Sequence, residues 1–274
     1  MTSDPVYELF PATAPEVPLV VSVPHTGTAV PDGIRERFRS PTVAALPDTD
    51  WHLHRLYDFV PELGATLITA RFSRYVVDLN RPADQHALYP GRDETGLVPR
   101  STFGEEAIYR DGTEPDDAEV AARRERYWDP YHRLLREQLD AVKERFGFAL
   151  LWDAHSIPSV VPRFFDGELP ELMLGDVGGT SCDPRVSAAV RDAIHRTGLS
   201  HRENDPFQGG WITRSFGAPA SGVHALQLEM SQRIYMVEGQ PFAWDGARAA
   251  AFRPVLVDLL RAFVDAGMRL FGDD

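Results

Sequence analysis

The amino-acid sequence predicts one α/β domain over residues 1–274, with helices on both faces of a mixed, mostly parallel sheet. Short apolar runs typical of strands alternate along the chain with patterns typical of amphipathic helices, as expected for such a sheet. Hydrophobic residues make up 43% of the 274 residues, which is enough for a large core. The sequence contains no internal repeat, no low-complexity tract and no linker-like stretch that would divide it.

Two patterns predict the first elements. The apolar run PLVVSV at 18–23 predicts a buried strand. After a proline-rich loop, apolar residues recur at helical spacing from Leu53 to Val60. Asp48 is well placed to cap this helix, because Asp accepts hydrogen bonds from the free N–H groups of a first turn, and Gly64 marks its predicted end.

Two further strands and a long loop are predicted next. ATLITA at 65–70 and RYVVDL at 74–79 have the composition of strands, and an Asn-Arg-Pro sequence ends the second. The stretch 83–112 is rich in glycine, proline and charged residues and predicts a long loop. Long ordered loops in compact domains are often functional.

The second half of the chain continues the alternation. The clearest helix is predicted at 115–146, where an apolar stripe runs up to Gly147. The other predicted segments are a strand at 148–152, a loop at 156–184, a helix at 184–197, a Gly-rich segment at 204–217, a strand at 225–230 and an amphipathic helix at 245–271.

Composition excludes several classes of function. The formal net charge of −13 would repel DNA or RNA, and an anionic small substrate would need arginines close to its site. No apolar run reaches the ~18 residues of a membrane span, and the first residues lack the pattern of a secretion signal, so we expect no membrane partner. The single cysteine, Cys182, fits a reducing cytoplasm and excludes a thiolate-rich zinc site. Nucleotide-binding glycine loops and a G-x-S-x-G nucleophile elbow are absent from the sequence.

Two histidines at strand ends are the most informative feature of the sequence. His25 follows the strand in VSVPHTG at 21–27, and His155 follows the strand in LLWDAHS at 150–156. Catalytic groups collect at the carboxyl ends of strands in open α/β sheets, and two such imidazoles suit a catalytic metal. Asp153 can orient His155 by a hydrogen bond to the ring nitrogen that does not bind the metal. The simpler alternatives are a surface turn for His25 and a structural Asp–His hydrogen bond for His155.

A carboxylate is needed beside the two histidines. Two histidines, one carboxylate and an open position for water form a common catalytic zinc arrangement. We predict Asp50, within PDTDWHLH, as this carboxylate, because helix capping is the preferred role for Asp48. Asp48, His52 and His54 stay open as alternatives. On a regular helix, however, position i+2 points away from position i, so Asp50 and His52 should not face one metal.

Acid–base chemistry has one main candidate. Glu229 lies at the end of the predicted strand ALQLEM, where a carboxylate can take a proton from water and pass it to a leaving nitrogen. Taken alone, a glutamate in a strand is more often a surface residue. His224, just before this strand, is a candidate for the substrate site, and Arg163 and Arg214, in loops, are weaker candidates.

Arginines next to a predicted strand suggest an acidic substrate. Arg74, Asn80 and Arg81 bracket the predicted strand at 74–79. An arginine side chain binds carboxylates with two parallel hydrogen bonds. Arginines here would supply the local positive charge that a small anionic substrate needs in this acidic chain. The alternative is that these arginines form salt bridges to Asp78 or Asp84.

The ordered set of motifs resembles one family over nearly the whole chain. The motifs are VSVPHTG, LPDTDWHLHRLYDF, SRYVVDLNRP, TGLVPRSTF, WDPYH, LLWDAHS, FFDGELP, LGDVGGTSCDP, GGWITRSFG and GVHALQLEMSQ. Together they are similar to the N-formylglutamate amidohydrolases, the deformylases that end one route of bacterial histidine degradation.

This resemblance implies a zinc-carboxypeptidase-like fold and hydrolysis of N-formyl-L-glutamate to formate and L-glutamate. It implies one divalent metal ion, Zn²⁺, held by His25, Asp50 and His155, with Glu229 as the base. Two rival functions stay open: a deacylase or carboxypeptidase for another N-acyl amino acid, and a metal-free binding module for small dicarboxylates.

Overall fold

One mixed sheet of seven strands organises the computed structural model, which describes residues 5–88, 91 and 94–272. The strands in chain order are β1 Tyr7–Phe10, β2 Leu19–Val23, β3 Thr66–Ala70, β4 Ala149–Ile157, β5 Leu172–Gly175, β6 His201–Glu203 and β7 Val223–Ser231. They lie in the order β1-β3-β2-β4-β7-β5-β6. The four strands β3, β2, β4 and β7 run parallel, whereas β1 is antiparallel to β3 and β5 is antiparallel to β7. The predicted mixed, mostly parallel sheet is confirmed.

Eight α-helices accompany the sheet in the described part of the chain. They are α1 Asp32–Arg35, α2 Pro41–Ala44, α3 Leu53–Leu56, α4 Asp117–Arg123, α5 Asp129–Phe146, α6 Pro184–Thr197, α7 Trp211–Phe216 and α8 Gly246–Phe271. A π-helical turn at Arg124–Trp128 joins α4 to α5, and 3₁₀ turns lie at Val60–Leu63, Pro219–Ser221 and Gln232–Ile234. None of the helices in residues 5–88, 91 and 94–272 has the length and apolarity to span a membrane.

Helices cover both faces of the sheet, as the sequence predicts. Side chains alternate between the faces along each strand. Val21 of β2 belongs to the buried cluster that contains Leu256 of α8, whereas the adjacent Val20 belongs to the cluster that contains Leu135 of α5. The central strands are therefore buried on both sides, and their carboxyl ends are left to form a site.

Two predictions about residues 48–79 are wrong. Residues 74–79 are not a strand, because the position beside β3 is taken by β1, which the sequence analysis missed. Asp48 does not cap a helix, because α3 begins only at Leu53. The carboxylate of Asp48 instead accepts a hydrogen bond from the backbone N–H of Phe103, at 2.9 Å. The predicted loop at 156–184 is also interrupted, by β5.

Helix α5 and the π-helical turn before it support the backbone that follows residues 74–79. His132 Nε2 donates to the carbonyl of Leu79 at 2.8 Å, and Trp128 Nε1 donates to the carbonyl of Arg81 at 3.0 Å. The rings of His132 and Trp128 stack with their centroids 3.6 Å apart. Asn80 lies between the two supported carbonyls, so its position depends on this turn and helix.

The buried neutral state of His132 is expected to make the fold sensitive to acid. Burial lowers the pKa of His132 from 6.5 to about 3, and the charge of Arg136 adds to the effect. The folded protein therefore binds this proton more weakly than the unfolded chain, so the stabilisation is complete above pH 6.5 and is lost as the pH falls towards 3. Between neutral pH and pH 5 the expected loss in the free energy of unfolding is about 2 kcal/mol.

Urea unfolding at pH 7 and at pH 5 measures this effect. The wild type should lose about 2 kcal/mol more between the two pH values than the variant His132→Gln, which has no group to titrate there. The variant has a lower starting stability because it loses the ring stacking, so the comparison uses only the change with pH. Equal losses in the two proteins would show that His132 titrates alike in the folded and unfolded chains.

Candidate active site

The carboxyl ends of two parallel strands bring His25 and His155 together. His25 lies two residues beyond β2, and His155 lies near the end of the neighbouring β4. Asp50 joins them because its backbone N–H donates to the carbonyl of His25 at 3.1 Å. The three side chains are buried, with 1–3% exposed, and each offers a ligand atom within 4.8 Å of the others.

A buried carboxylate fixes the ring of His25. His25 Nε2 donates to Asp78 Oδ1 at 2.7 Å, and Arg74 Nη2 donates to Asp78 Oδ2 at 2.7 Å. Burial alone would raise the pKa of Asp78, but Arg74 and His25 hold it well below its usual range. Burial lowers the pKa of His25, so its ring is neutral, with the proton on Nε2 and Nδ1 free to act as a ligand.

His155 has polar partners at both ring nitrogens. Its Nδ1 lies 3.3 Å from Asp50 Oδ2. Its Nε2 accepts from Asn80 Nδ2 at 2.9 Å and lies 3.1 Å from Asp153 Oδ1, an oxygen that has no hydrogen-bond partner in the described structure. Burial lowers the pKa of His155, but the carboxylates of Asp153, Asp50 and Glu229 together raise it well above the ordinary value. These three carboxylates therefore favour a cation in the cluster.

Asp50 is held by the end of β4 and by an arginine. Its Oδ2 accepts from the backbone N–H of Ser156 at 3.0 Å, and its Oδ1 lies 3.9 Å from Arg74 Nη1. The Ser156 hydroxyl is in turn 2.7 Å from the hydroxyl of Tyr235, which donates to the carbonyl of Trp51 at 2.9 Å. These contacts hold the Asp50 carboxylate in a fixed position next to the two imidazoles.

The three side chains fit a divalent metal ion. Two imidazole nitrogens and one carboxylate oxygen are ligands that suit zinc and other divalent transition metals. All three residues line a cavity of about 540 Å³, so one side of the cluster stays open to a small molecule. His25, Asp50 and His155 can therefore hold a metal ion in an open three-ligand site.

The alternative ligands do not join this cluster. Asp48 is engaged by Phe103, as described above. His52 Nε2 lies 2.7 Å from the carbonyl of Phe242, and His54 Nδ1 lies 2.8 Å from the hydroxyl of Thr26. The structure thus favours Asp50 as the third metal ligand over Asp48, His52 and His54.

Glu229 lies beside the cluster, on the neighbouring strand. In the pairing of β4 with β7, Glu229 is directly opposite His155, and its side chain lines the same cavity. Burial raises the pKa of Glu229 to about 8, and the charge of Asp50 adds to this. The charges of His155 and Arg74 act in the opposite direction. A carboxyl group with a pKa near neutrality can both accept and donate a proton at physiological pH.

Arginines, aromatic rings and three further acidic side chains line the rest of the cavity. The arginines are Arg74, Arg81 and Arg163, the acidic residues are Glu94, Asp166 and Asp205, and Phe103 is one of the aromatic residues. The guanidinium carbon of Arg74 lies 4.8 Å from the centre of the Phe103 ring, and its Nε is buried without a hydrogen bond in the described structure. The volume is within the range of roughly 300–1,000 Å³ that is typical of ligand pockets. The cavity therefore has the size for a small molecule, and its three arginines can bind carboxylates of such a molecule.

Comparisons with known proteins agree on one family. The family model described as N-formylglutamate amidohydrolase matches residues 17–236. A protein of Pseudomonas putida named N-formylglutamate deformylase is 45% identical over 256 residues, which cover 92% of this chain and 94% of that protein. A protein of the same name from Pseudomonas aeruginosa is 47% identical over the same length and coverage. The chain belongs to the N-formylglutamate amidohydrolase family.

Solved structures agree with this membership. A crystal structure of N-formylglutamate amidohydrolase from Ralstonia eutropha JMP134 matches with a TM-score of 0.80 and 26% identity, over 96% of this chain and 98% of that one. A gene product of Agrobacterium tumefaciens matches with a TM-score of 0.73 at 20% identity, which shows the shared fold alone. The family resemblance carried by the sequence motifs is thus confirmed. The finer expectation of a zinc-carboxypeptidase-like fold stays a prediction.

One residue predicted for the substrate site of this amidohydrolase lies elsewhere. His224 is the second residue of β7, whereas Glu229 lies near the carboxyl end of that strand, five residues later. His224 Nδ1 accepts from the backbone N–H of Asp183 at 3.1 Å, and its ring stacks on Phe271 with the centroids 4.5 Å apart. The prediction is wrong because the histidine lies near the amino end of β7, whereas the cavity lies at the carboxyl ends of the strands.

The other predicted substrate residues line the cavity, but two have structural partners. Arg74 is paired with Asp78, which is the salt bridge that the sequence left open as an alternative. Asn80 is committed to His155 and, through its Oδ1, to the backbone N–H of Ile212 at 2.8 Å. Arg81 donates to the carbonyls of Thr95 and Asn80, and no described carboxylate pairs with it.

Sequence reasoning missed several residues in or next to the cavity. Asp78 was considered only as a salt-bridge partner of Arg74, although its contact with His25 places it beside the cluster. Gln227 shares the cavity with Glu229, and the two-residue repeat of a strand was a signal that could have found it. Phe164 and Phe207 come from separate loops, and no local pattern pairs them.

Proposed function

We propose that this chain hydrolyses N-formyl-L-glutamate to formate and L-glutamate. The observation that carries the proposal is the convergence of His25, Asp50, His155 and Glu229 on one cavity that arginines also line. Family membership and the names of the Pseudomonas relatives support the same substrate. In a chain of formal net charge −13, a small anionic substrate needs cations close to its site, and the arginines of the cavity supply them.

Two arginines have different proposed roles in substrate binding. Arg81 binds one carboxylate of the substrate, because its charge is unpaired in the described structure and its other hydrogen bonds hold the guanidinium in place. Arg74 is anchored by Asp78 and lines the cavity, so its guanidinium suits the oxygen of the formyl carbonyl. Negative charge that develops on this oxygen during attack would then be stabilised by a fixed cation.

Glu229 is the proposed acid–base residue. It accepts a proton from the attacking water, whose oxygen forms the new bond to the formyl carbon. The carbon–nitrogen bond then breaks, and Glu229 returns the proton to the glutamate nitrogen. A divalent ion, which we propose to be zinc, would polarise the formyl carbonyl and make water more acidic when bound by His25, Asp50 and His155.

Metal quantification combined with a substrate panel tests this proposal. Freshly purified protein is expected to contain a stoichiometric divalent metal and to release formate from N-formyl-L-glutamate. The panel contains the N-formyl and N-acetyl derivatives of glutamate, aspartate and glutamine. A preference for the neutral glutamine side chain, or for the acetyl over the formyl group, would favour the rival deacylase. A protein without metal and without hydrolysis would instead favour a binding module.

A further inference from the structure

Gln227 occupies the inner end of the cavity, beyond Glu229. The two residues are two positions apart on β7, so their side chains lie on the same face of the sheet, and both line the cavity. Two residues of a strand span about 7 Å, so Gln227 is that much further from the carboxyl ends of the strands than Glu229. Only 4% of Gln227 is exposed.

The start of α7 determines which way the amide of Gln227 points. The backbone N–H of Gly210, just before α7, donates to Gln227 Oε1 at 2.7 Å. A backbone N–H can only donate, so the amide oxygen is on the α7 side and the NH₂ group is on the other. Gly210 also lines the cavity, so this contact lies at its wall. Gln227 Nε2 makes no hydrogen bond with any residue that the structure describes.

The side-chain amide of Asn80, in the same wall, also accepts from a backbone N–H of α7, but its NH₂ group already has a partner. Asn80 Oδ1 accepts from the backbone N–H of Ile212, and Asn80 Nδ2 donates to His155. The side chain of Asn80 lies so close to Gly210 that a Cβ atom there would be 2.2 Å from Asn80 Nδ2. Gln227 is therefore the amide of this wall whose NH₂ group remains available to a ligand.

We propose that Gln227 is a specificity-determining residue whose Nε2 donates a hydrogen bond to the side-chain carboxylate of the substrate. This inference rests on the proposed function. Gln227 Nε2 is not one of the fully buried polar atoms that lack a partner, so it is accessible from the cavity, where a carboxylate oxygen can accept its hydrogen bond. An N–H donor that is rigidly held discriminates strongly against ligands that lack an acceptor at that point.

The lengths of the two carboxylate arms of glutamate assign the side chain to Gln227. The formyl group that reacts has to lie at the level of Glu229 and His155. From there the α-carboxylate is attached directly to the α-carbon, whereas the side-chain carboxylate follows two methylene groups. Since Gln227 lies about 7 Å deeper than Glu229, only the longer arm reaches it. The shorter α-carboxylate is then left for Arg81.

The variant Gln227→Glu tests the proposal with little structural change. A glutamate at this position still accepts from Gly210 N–H, and it replaces only the NH₂ donor by a second oxygen. We expect kcat/KM for N-formyl-L-glutamate to fall about 10–100-fold, because the donor is lost and two carboxylates then face each other. N-formyl-L-glutamine, which can donate to the new carboxylate, should lose much less, so the preference for glutamate over glutamine should shift by at least about tenfold.

A second variant and a control complete the experiment. Gln227→Met is similar in length but apolar, and it should shift preference from N-formyl-L-glutamate towards N-formyl-L-methionine by about 10–100-fold. Gln240→Glu adds the same charge at an exposed position and should keep the wild-type preferences. Metal content is measured for each protein. Unchanged substrate ratios in either folded Gln227 variant would overturn the inference, whereas wild-type protein inactive on N-formyl-L-glutamate would overturn the proposed function itself.

Discussion

Replacing His155 by alanine is expected to abolish metal binding and the hydrolysis of N-formyl-L-glutamate together. The change removes one of three buried ligand groups and also the imidazole that lies between Asp50 and Asp153. A metal ion contributes several kcal/mol to transition-state stabilisation, and each ~1.4 kcal/mol is tenfold in rate. Turnover should therefore fall on the order of 10³-fold or more, and metal should be absent from the purified variant.

The loss of metal and the loss of activity have to be separated from a failure to fold. Circular dichroism of His155→Ala checks the fold, and His25→Ala serves as a second variant that removes a different ligand. His195→Ala, an exposed histidine on α6, is the matched control and should retain metal and activity. A folded His155→Ala protein that keeps stoichiometric metal would contradict the proposed ligand set, whatever its activity.

The central part of the site could be predicted from the sequence because it depends on local patterns. A histidine at the end of an apolar strand is visible in one short segment, as for His25 and His155. The carboxyl ends of parallel strands meet at one edge of a sheet, so two such histidines were expected to be close. The structure satisfies this expectation, with the ring centroids of His25 and His155 4.9 Å apart.

The supporting contacts could not be predicted, because they join residues that are distant in sequence. The apolar run at 74–79 has the composition of a strand, yet β1 takes the place beside β3, and nothing within 74–79 reveals that competition. Asp48 has the signature of a helix cap, but its partner Phe103 comes from the long loop. The position of Gln227 depends on Gly210, which is 17 residues away.

The error over His224 has a simpler physical cause. A strand has two ends, and only its carboxyl end contributes to a site of this type. His224 and Glu229 were grouped because they are close in sequence, but five residues of extended chain separate them by roughly 17 Å. The alternation of side chains and the direction of the strand, taken together, favour Gln227 over His224 as the companion of Glu229.

Glu229→Gln is expected to lower turnover of N-formyl-L-glutamate by roughly 10²–10⁴-fold, the usual contribution of general acid–base catalysis. The amide has nearly the shape of the carboxyl group but can neither accept the proton of water nor pass it to the nitrogen. Substrate binding should change little, because Arg81 and Gln227 are untouched, so the loss should appear in kcat rather than in KM. Steady-state kinetics of formate release measures both parameters.

The specific value of this variant is that it separates proton transfer from metal binding. Glu229 is not one of the three clustered ligand groups, so Glu229→Gln should retain the wild-type metal content, in contrast to His155→Ala. Glu137→Gln, at an exposed position of α5, makes the same chemical change away from the cavity and should keep full turnover. Near-normal activity of Glu229→Gln would mean that another group moves the proton. Loss of metal from Glu229→Gln would mean that Glu229 is a fourth metal ligand, which would contradict the open three-ligand site.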